Sequence, residues 1–321
     1  MKKKVINLAL LFGGRSAERE VSIAGAKEVE KALDKDRYMI FKYDAATDLE
    51  GLVHDARSLD CVFILLHGRF GEDGTIQGLL DLLDLPYQSS GVLGSAVAMN
   101  KHFSKVLYRD AGILTPEWVQ LKRGEDWDPD EVVQKLGLPL VIKPCTQGSS
   151  VGISLVKKED DLSLAASEAF KWDEDIILEQ YVRGMEITGG VLGLESLEAL
   201  PIVEIIPGED YAFFDYEAKY EPGATKEICP ARLSKDVEMR AKEMAKMAHV
   251  ALGLSIYSRT DMMVSEDGKI YCIETNTIPG MTPTSLFPQA AKAYGLEFQR
   301  LLDRLIELAI LRKELERGKG E

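Results

Sequence analysis

The sequence predicts an α/β region with an open, mostly parallel sheet at the N-terminal end, followed by two α+β regions. Three observations carry that expectation. A nearly continuous apolar run at residues 5–11 stops at Gly13-Gly14, as a strand buried on both faces does. Strand-like and helix-like patterns then alternate up to about residue 95. Beyond that point short strands gather around a Gly/Ser loop and around an Asp-Gly turn.

After the first strand, a helix is expected through Ile23, Ala26, Val29 and Leu33, with Glu18 and Glu20 near its positive end. Residues 38–43 read as a strand and residues 61–66 as a second buried one. His67-Gly68-Arg69-Phe70-Gly71-Glu72-Asp73-Gly74 follows, and a helix resumes with Ile76, Leu79, Leu80 and Leu83 at i, i+3, i+4, i+7. Residues 1–95 thus form a first domain. In residues 96–183 a helix over 101–111 precedes strands at 140–143, 151–156 and 176–182, with a polar loop over 145–150. Residues 184–321 begin with strands at 186–192 and 200–206. A polar loop over 207–230 is longer than a compact domain holds without a functional reason. A helix over 236–252, strands at 257–264 and 269–275, and a charged tail expected to fray after Arg312 complete the chain.

With 321 residues, 45% of them hydrophobic, the chain can build its core without disulfide or metal staples. Lys and Arg number 39 against 53 Asp and Glu, a net charge of −14, which repels nucleic acid and anionic membrane. A phosphate-bearing ligand therefore needs a local cluster of cations. Cys61, Cys145, Cys229 and Cys272 show no paired spacing and read as reduced thiols. The lysines at 2–4 resemble the start of a signal peptide, but the apolar run after them contains Asn7 and ends at Phe12, before a glycine pair. No apolar stretch approaches the ~20 residues of a membrane span. A soluble, cytoplasmic protein is expected.

Asp267-Gly268 between two alternating runs signals a two-residue hairpin loop. Pairing outward from it sets Asp261 opposite Glu274 and Arg259 opposite Asn276, with Met262, Val264, Tyr271 and Ile273 on the other, apolar face. Two carboxylates directly across a ladder repel unless a cation lies between them. Asp, Glu and Asn oxygens with no His or Cys ligand among them favour Mg²⁺. The bland alternative is a solvated face; Arg259, Asn276 and the adjoining Thr277-Ile278-Pro279-Gly280 weigh against it.

Neither GxxxxGK[ST] nor a GxGxxG after the first strand is present, so the two common phosphate-binding motifs are excluded. Residues 147–152, Gln-Gly-Ser-Ser-Val-Gly, form a flexible loop rooted at Lys143 whose backbone N–H groups could wrap phosphate oxygens; an ordinary turn is the alternative. Gly148-Ser149-Ser150-Val151-Gly152 also fits the GxSxG nucleophile elbow. That elbow needs a helix after it, whereas a strand is expected here, and His249, the sole later histidine, falls in a helix. A serine hydrolase is set aside.

With these motifs in view, the chain resembles the D-alanine–D-alanine ligases of the ATP-grasp superfamily over essentially its whole length. The matching segments are residues 13–22 (Gly-Gly-Arg-Ser-Ala-Glu-Arg-Glu-Val-Ser), 66–68 with 71–74, Lys143-Pro144 with 148–152, 215–220 (Asp-Tyr-Glu-Ala-Lys-Tyr) and 274–282 (Glu-Thr-Asn-Thr-Ile-Pro-Gly-Met-Thr). Their order along the chain makes them far more specific together than singly.

The resemblance implies an ATP-grasp fold behind a Rossmann-like N-terminal domain, and a two-step reaction. One D-alanine carboxylate attacks the γ-phosphate of ATP to give an acyl phosphate, which the amine of a second D-alanine then attacks. By the same resemblance Glu18, with His67, holds the first ammonium, and Lys101, Lys143 and Lys219 embrace the phosphates. Glu179, Gln180, Tyr181 and Val182 receive the adenine and Glu186 the ribose, although an ordinary buried strand would also explain Tyr181 and Val182. Asp261, Glu274 and Asn276 hold two Mg²⁺, for which Mn²⁺ can substitute. Arg259 and the Gly280 N–H stabilise the oxyanion, and Ser285 and Leu286 take the second carboxylate. A lid around residues 214–220 closes through Ser149, Tyr220 and Glu18. Gln147, Gln180 and Phe214 depart from the residues some members carry. Tyr220 favours an amine acceptor over the hydroxy acid of relatives that make D-alanine–D-lactate. A homodimer is the implied assembly. A nucleotide-binding protein without turnover is the other alternative, disfavoured because every charged position the chemistry needs is filled.

Overall fold

The computed structural model describes residues 5–208 and 225–318. The first apolar run is β1 (Ile6–Phe12), whose Leu8, Ala9, Leu10 and Leu11 are fully buried. Helix α1 (Arg19–Ala32) leads to β2 (Tyr38–Asp44), and α2 (Leu49–Asp55) precedes β3 (Cys61–Ile64). β1 lies between β2 and β3, parallel to both. Because all three strands run the same way, the loops after β1 and β3 open at one edge, where ligands of such sheets bind. Those loops carry Glu18 and His67. On α1 the buried face is Ser22, Gly25, Ala26 and Val29, with Ile23 only half-buried.

Next come α3 (Thr75–Leu82), α4 (Val92–Met99) and α5 (Lys101–Asp110). A four-stranded antiparallel sheet follows in the order β4-β7-β5-β6, from β4 (Trp118–Lys122), β5 (Leu140–Pro144), β6 (Ser154–Val156) and β7 (Asp175–Gln180). Helices α6 (Pro129–Leu136) and α7 (Leu162–Ala169) supply Val132, Leu136, Leu162 and Ala166 to the core of this sheet. Two expectations shift here. Residues 151–153 do not extend β6, because Ser149, Ser150 and Gly152 at φ of 50°, 59° and 72° keep the chain in a turn. The strand expected to reach Val182 ends at Gln180.

The third sheet has the order β11-β10-β8-β12-β13, with β9 on the side of β8. Its members are β8 (Gly184–Gly193), β9 (Leu197–Ala199), β10 (Val203–Pro207), β11 (Thr225–Ile228), β12 (Ile256–Ser265) and β13 (Ile270–Asn276). The loop expected over 207–230 is therefore interrupted: residues 225–228 pair with β10 as an edge strand. Helix α8 (Lys235–Ala251) packs on β8 and β12, and α9 (Leu286–Ala293) and α10 (Phe298–Gly318) follow. No fraying begins at Arg312. Its guanidinium donates to the carbonyls of Ser89 at 2.5 Å and Tyr87 at 3.2 Å and lies over the Tyr87 ring, while Lys313 meets Asp84 at 2.8 Å.

The β12–β13 hairpin corrects its own expectation twice. Ser265 pairs with Lys269 and Gly268 sits at φ 77°, so the loop holds three residues, Glu266 to Gly268, and not two. Met262 consequently faces Cys272 and Val264 faces Ile270. Between Asp261 and Met262 a bulge then adds Ile273 to β13, and beyond it Asp261 faces Glu274 and Arg259 faces Asn276, as expected. The apolar face holds Met262, Val264, Ile270 and Cys272; Tyr271 is not part of it, and Ile273 turns to a cleft instead.

One core joins the first and third sheets: Leu8, Leu10 and Phe63 share it with Tyr257, Phe287, Leu302 and Leu305. The four-stranded sheet keeps a separate core around Leu140, Ile142, Ile176 and Leu178. Helix α5 bridges to the β12–β13 hairpin through Tyr108, whose hydroxyl donates to Thr275 Oγ1 at 2.7 Å; Thr275 Oγ1 also lies 3.0 Å from Thr260 Oγ1. Tyr108→Phe removes this buried hydrogen bond and should lower stability by roughly 1–3 kcal/mol. Guanidinium unfolding should show a lower midpoint at unchanged slope.

Candidate active site

Two clefts meet along β13. One, of about 460 Å³, is lined by Lys143, Ser150, Glu179, Gln180, Tyr181, Val182, Glu186 and Asp261 among others. The second, of about 380 Å³, is lined by Glu18, His67, Glu72, Ser149, Arg259, Asn276, Gly280, Ser285 and Leu286. Glu274 lines both. Of the nineteen residues that the sequence singles out, Lys101 stands beside the clefts, and Lys219 and Tyr220, like Phe214 of the expected lid, lie outside the described residues.

Where the clefts meet, cations answer the facing carboxylates. Arg259 Nε and Nη2 each lie 2.9 Å from an Asp261 oxygen, a parallel two-bond pairing. Thr188 Oγ1 donates to Asp261 Oδ1 at 2.5 Å and Asn276 Nδ2 to Oδ2 at 3.1 Å. Lys101 Nζ lies 3.4 Å from Glu274 Oε2 and donates to the Gln147 carbonyl at 2.7 Å. Burial opposes the Arg259 charge, but Asp261, Glu274 and Glu72 outweigh it and raise its pKa. Among the described residues no three His, Cys, Asp or Glu side chains gather as a metal site. Two carboxylates and an amide oxygen still fit a hard cation that completes its shell with phosphate and water oxygens.

At the inner end of the smaller cleft, Ser149 Oγ donates to Glu18 Oε1, joining loops 131 positions apart. Gly68, at φ 66°, lets the backbone approach: a Cβ there would stand 2.7 Å from Glu18 Oε2. Burial lowers the His67 pKa, against the pull of Glu18. Glu72 accepts the Gly68 N–H at 2.7 Å, and burial together with Glu18 pushes its carboxyl up to about 8. At the outer end, Ser285 precedes α9, yet its hydroxyl turns back to Thr282, 3.2 Å from the backbone N and 2.8 Å from Oγ1. The first-turn N–H groups of α9, from Leu286 on, are thus not capped by it.

The larger cleft is apolar along Val141, Ile153, Met185, Ile205 and Ile206, which suits a flat ring. Lys143 and Glu179, 4% and 3% exposed, form an ion pair at its wall. Gln180 is exposed at the end of β7, and the Tyr181 N–H donates to the Pro139 carbonyl at 3.2 Å. Glu186 sits opposite Met263 on β8. Gly152 lets the 147–152 loop close over the Lys143 end; a Cβ there would come 2.7 Å from Trp172.

Against this geometry, comparison with known proteins is decisive. Family models described as D-ala D-ala ligase C-terminus and D-ala D-ala ligase N-terminus match residues 107–307 and 44–90. The chain is 56% identical over 310 residues to a D-alanine–D-alanine ligase of Syntrophobacter fumaroxidans, covering 97% of this chain and 99% of the relative. It is 51% identical over 317 residues to that of Desulfotalea psychrophila, covering 98% and 97%. The chain belongs to the D-alanine–D-alanine ligase family. Solved structures agree. The D-alanine–D-alanine ligase of Bacillus anthracis complexed with ATP superposes with a TM-score of 0.86 at 35% identity, over 97% of this chain and all of that one. A D-Ala:D-Ser ligase of Enterococcus faecalis does so at 0.81 and 32%, over 95% and 100%. The fold is therefore ATP-grasp.

The sequence missed three side chains at this ligase-family site. Glu72 lay within a quoted motif but received no role. Lys105 stands behind the cleft wall, 2.9 Å from Glu179 Oε2, and is spaced i+4 from Lys101 on α5, a signal that places both on one inward face. Glu227, lining the outer end, was hidden because its strand β11 was read as loop.

Glu72 supplies a pH test. Its folded carboxyl holds a proton up to about pH 8, well above the range of an unfolded chain, so the native state binds the extra proton in between. Stability therefore falls as pH rises through that window. The melting temperature of Glu72→Gln should change less from about pH 6 to about pH 8 than that of the wild type.

Proposed function

We propose that the two clefts are one active site, which joins two D-alanines to D-alanyl-D-alanine at the expense of ATP. The observation that carries this reading is the Asp261–Glu274 pair across β12 and β13, where the clefts meet, in a chain that matches ligase relatives over nearly its whole length. Residues 1–95 supply the first-substrate end, and residues 96–183 and 184–321 the two halves that grip the nucleotide.

ATP lies in the larger cleft, with adenine along the end of β7 at Glu179, Gln180, Tyr181 and Val182, its ribose at Glu186, and its phosphates toward Lys143 and Lys101. The first D-alanine sets its ammonium on Glu18, beside His67, and its carboxylate toward the γ-phosphate. Carboxylate oxygen attacks phosphorus, ADP departs and an acyl phosphate remains. The second D-alanine places its carboxylate at Ser285 and Leu286, on the open N–H groups that begin at Leu286, which turns its amine to the acyl carbon. The amine adds, the oxyanion rests against Arg259 and the Gly280 N–H, and phosphate leaves. Asp261 holds Arg259 in place through two bonds, so little reorganisation accompanies the developing charge. Asp261, Glu274 and Asn276 would hold Mg²⁺, two ions on the family resemblance, with Mn²⁺ as substitute; bound there it neutralises phosphate charge. Ser149 ties the loop to Glu18 and shields the reacting carbonyl from water. Lys219 and Tyr220 are assigned the third phosphate contact and lid closure from the family motif alone.

The product is a building block for peptidoglycan, and we place the enzyme in the cytoplasm as a homodimer. The support for that compartment is ATP as co-substrate and four unpaired cysteines. No helix among the described residues is long and apolar enough to cross a membrane.

Phosphate release measured with ATP, Mg²⁺ and D-alanine tests the activity; release that does not depend on D-alanine rejects it. Product analysis with D-serine and D-lactate as competing acceptors checks the choice of second substrate. Asp261→Asn and Glu274→Gln should each lower turnover by about a thousandfold or more while leaving the fold intact by circular dichroism. Near-normal rates in both variants would remove the metal assignment.

A further inference from the structure

Glu179 has two lysine partners of different character. Its Oε1 pairs with Lys143, which lines the nucleotide cleft. Its Oε2 lies 2.9 Å from Lys105 Nζ. Lys105 has no exposed surface and does not line the cleft. Its ammonium also donates to Thr115 Oγ1 at 2.8 Å and to the Pro116 carbonyl at 3.1 Å, and stands 5.4 Å from the Trp118 ring centre. Lys105 is thus fixed by four partners, whereas Lys143 reaches the cleft. The cluster holds two cations and one anion, so an incoming phosphate restores neutrality.

We propose that Lys105 is a positioning residue for ATP: it is the permanent counter-ion of Glu179, and so releases the Lys143 ammonium to the phosphates. Without Lys105, a move of Lys143 to the nucleotide would strand a buried carboxylate, and Glu179 would hold Lys143 back. This inference rests on the assignment of Lys143 to a phosphate.

Steady-state kinetics with ATP and D-alanine, alongside thermal unfolding, tests it in four variants: Lys143→Met, Lys105→Met, Glu179→Gln, and Lys105→Met combined with Glu179→Gln. Lys105→Met should raise the KM for ATP at least tenfold and leave the KM for D-alanine near the wild-type value. The double variant, in which the stranded charge is gone, should bring the KM for ATP back to that of Glu179→Gln alone. A Lys105→Met enzyme that melts earlier but binds ATP as well as the wild type would reduce Lys105 to a structural residue and overturn the inference. So would a double variant weaker for ATP than Glu179→Gln, the comparison that decides if Lys105→Met alone does not fold. A Lys143→Met enzyme with an unaltered KM for ATP would instead remove the phosphate assignment of Lys143.

Discussion

Two carboxylates opposite each other in an antiparallel ladder repel, and the site is arranged around that conflict. Asp261 and Glu274 face one another across β12 and β13. Arg259 clamps the first and Lys101 approaches the second. Their placement needs a bulge at Ile273, since a straight ladder beyond the three-residue turn would pair Asp261 with Ile273 and leave Glu274 out of step. The bulge also points Ile273 into the larger cleft, so one inserted residue sets both the acidic pair and part of an apolar wall.

Charge explains much of the rest. A chain of net charge −14 must concentrate its cations to attract a polyphosphate. The lysines at and beside the larger cleft are largely or wholly buried: Lys101 and Lys143 are 8% and 4% exposed and Lys105 is fully buried. Each is compensated by Glu274 or Glu179, which keeps the desolvated charges affordable and preorganised. His249 shows the contrasting case. Buried in α8 and 2.8 Å from Ser258 Oγ, it has a pKa lowered by desolvation to about 4 and belongs to the core, consistent with setting aside a hydrolase.

The parallel first sheet does for Glu18 and His67 what the bulged hairpin does for Asp261 and Glu274. Glu18 and His67 follow different strands, yet both emerge at the same edge because β1 and β3 run the same way. Relatives named as D-Ala–D-Ala and D-Ala:D-Ser ligases share this fold, so the framework by itself does not set the acceptor.

By itself the sequence determined what is local: the first strand from its apolar run, the helices α1, α3, α5 and α8 from their patterns, the facing of Asp261 and Glu274 from a turn signal, and the family from motifs in order. The turn was read one residue too short, and the facing pair survived because the bulge offset that error, which no pattern of alternation reveals. Only the tertiary structure decided that Ser149 reaches Glu18, that Glu179 is shared by Lys105 and Lys143, that Glu72 lines the same cleft as Glu18, and that Arg312 anchors the last helix on the loop after α3. Each joins segments far apart in the chain, and such contacts are set by how sheets and helices pack, not by spacing along the sequence.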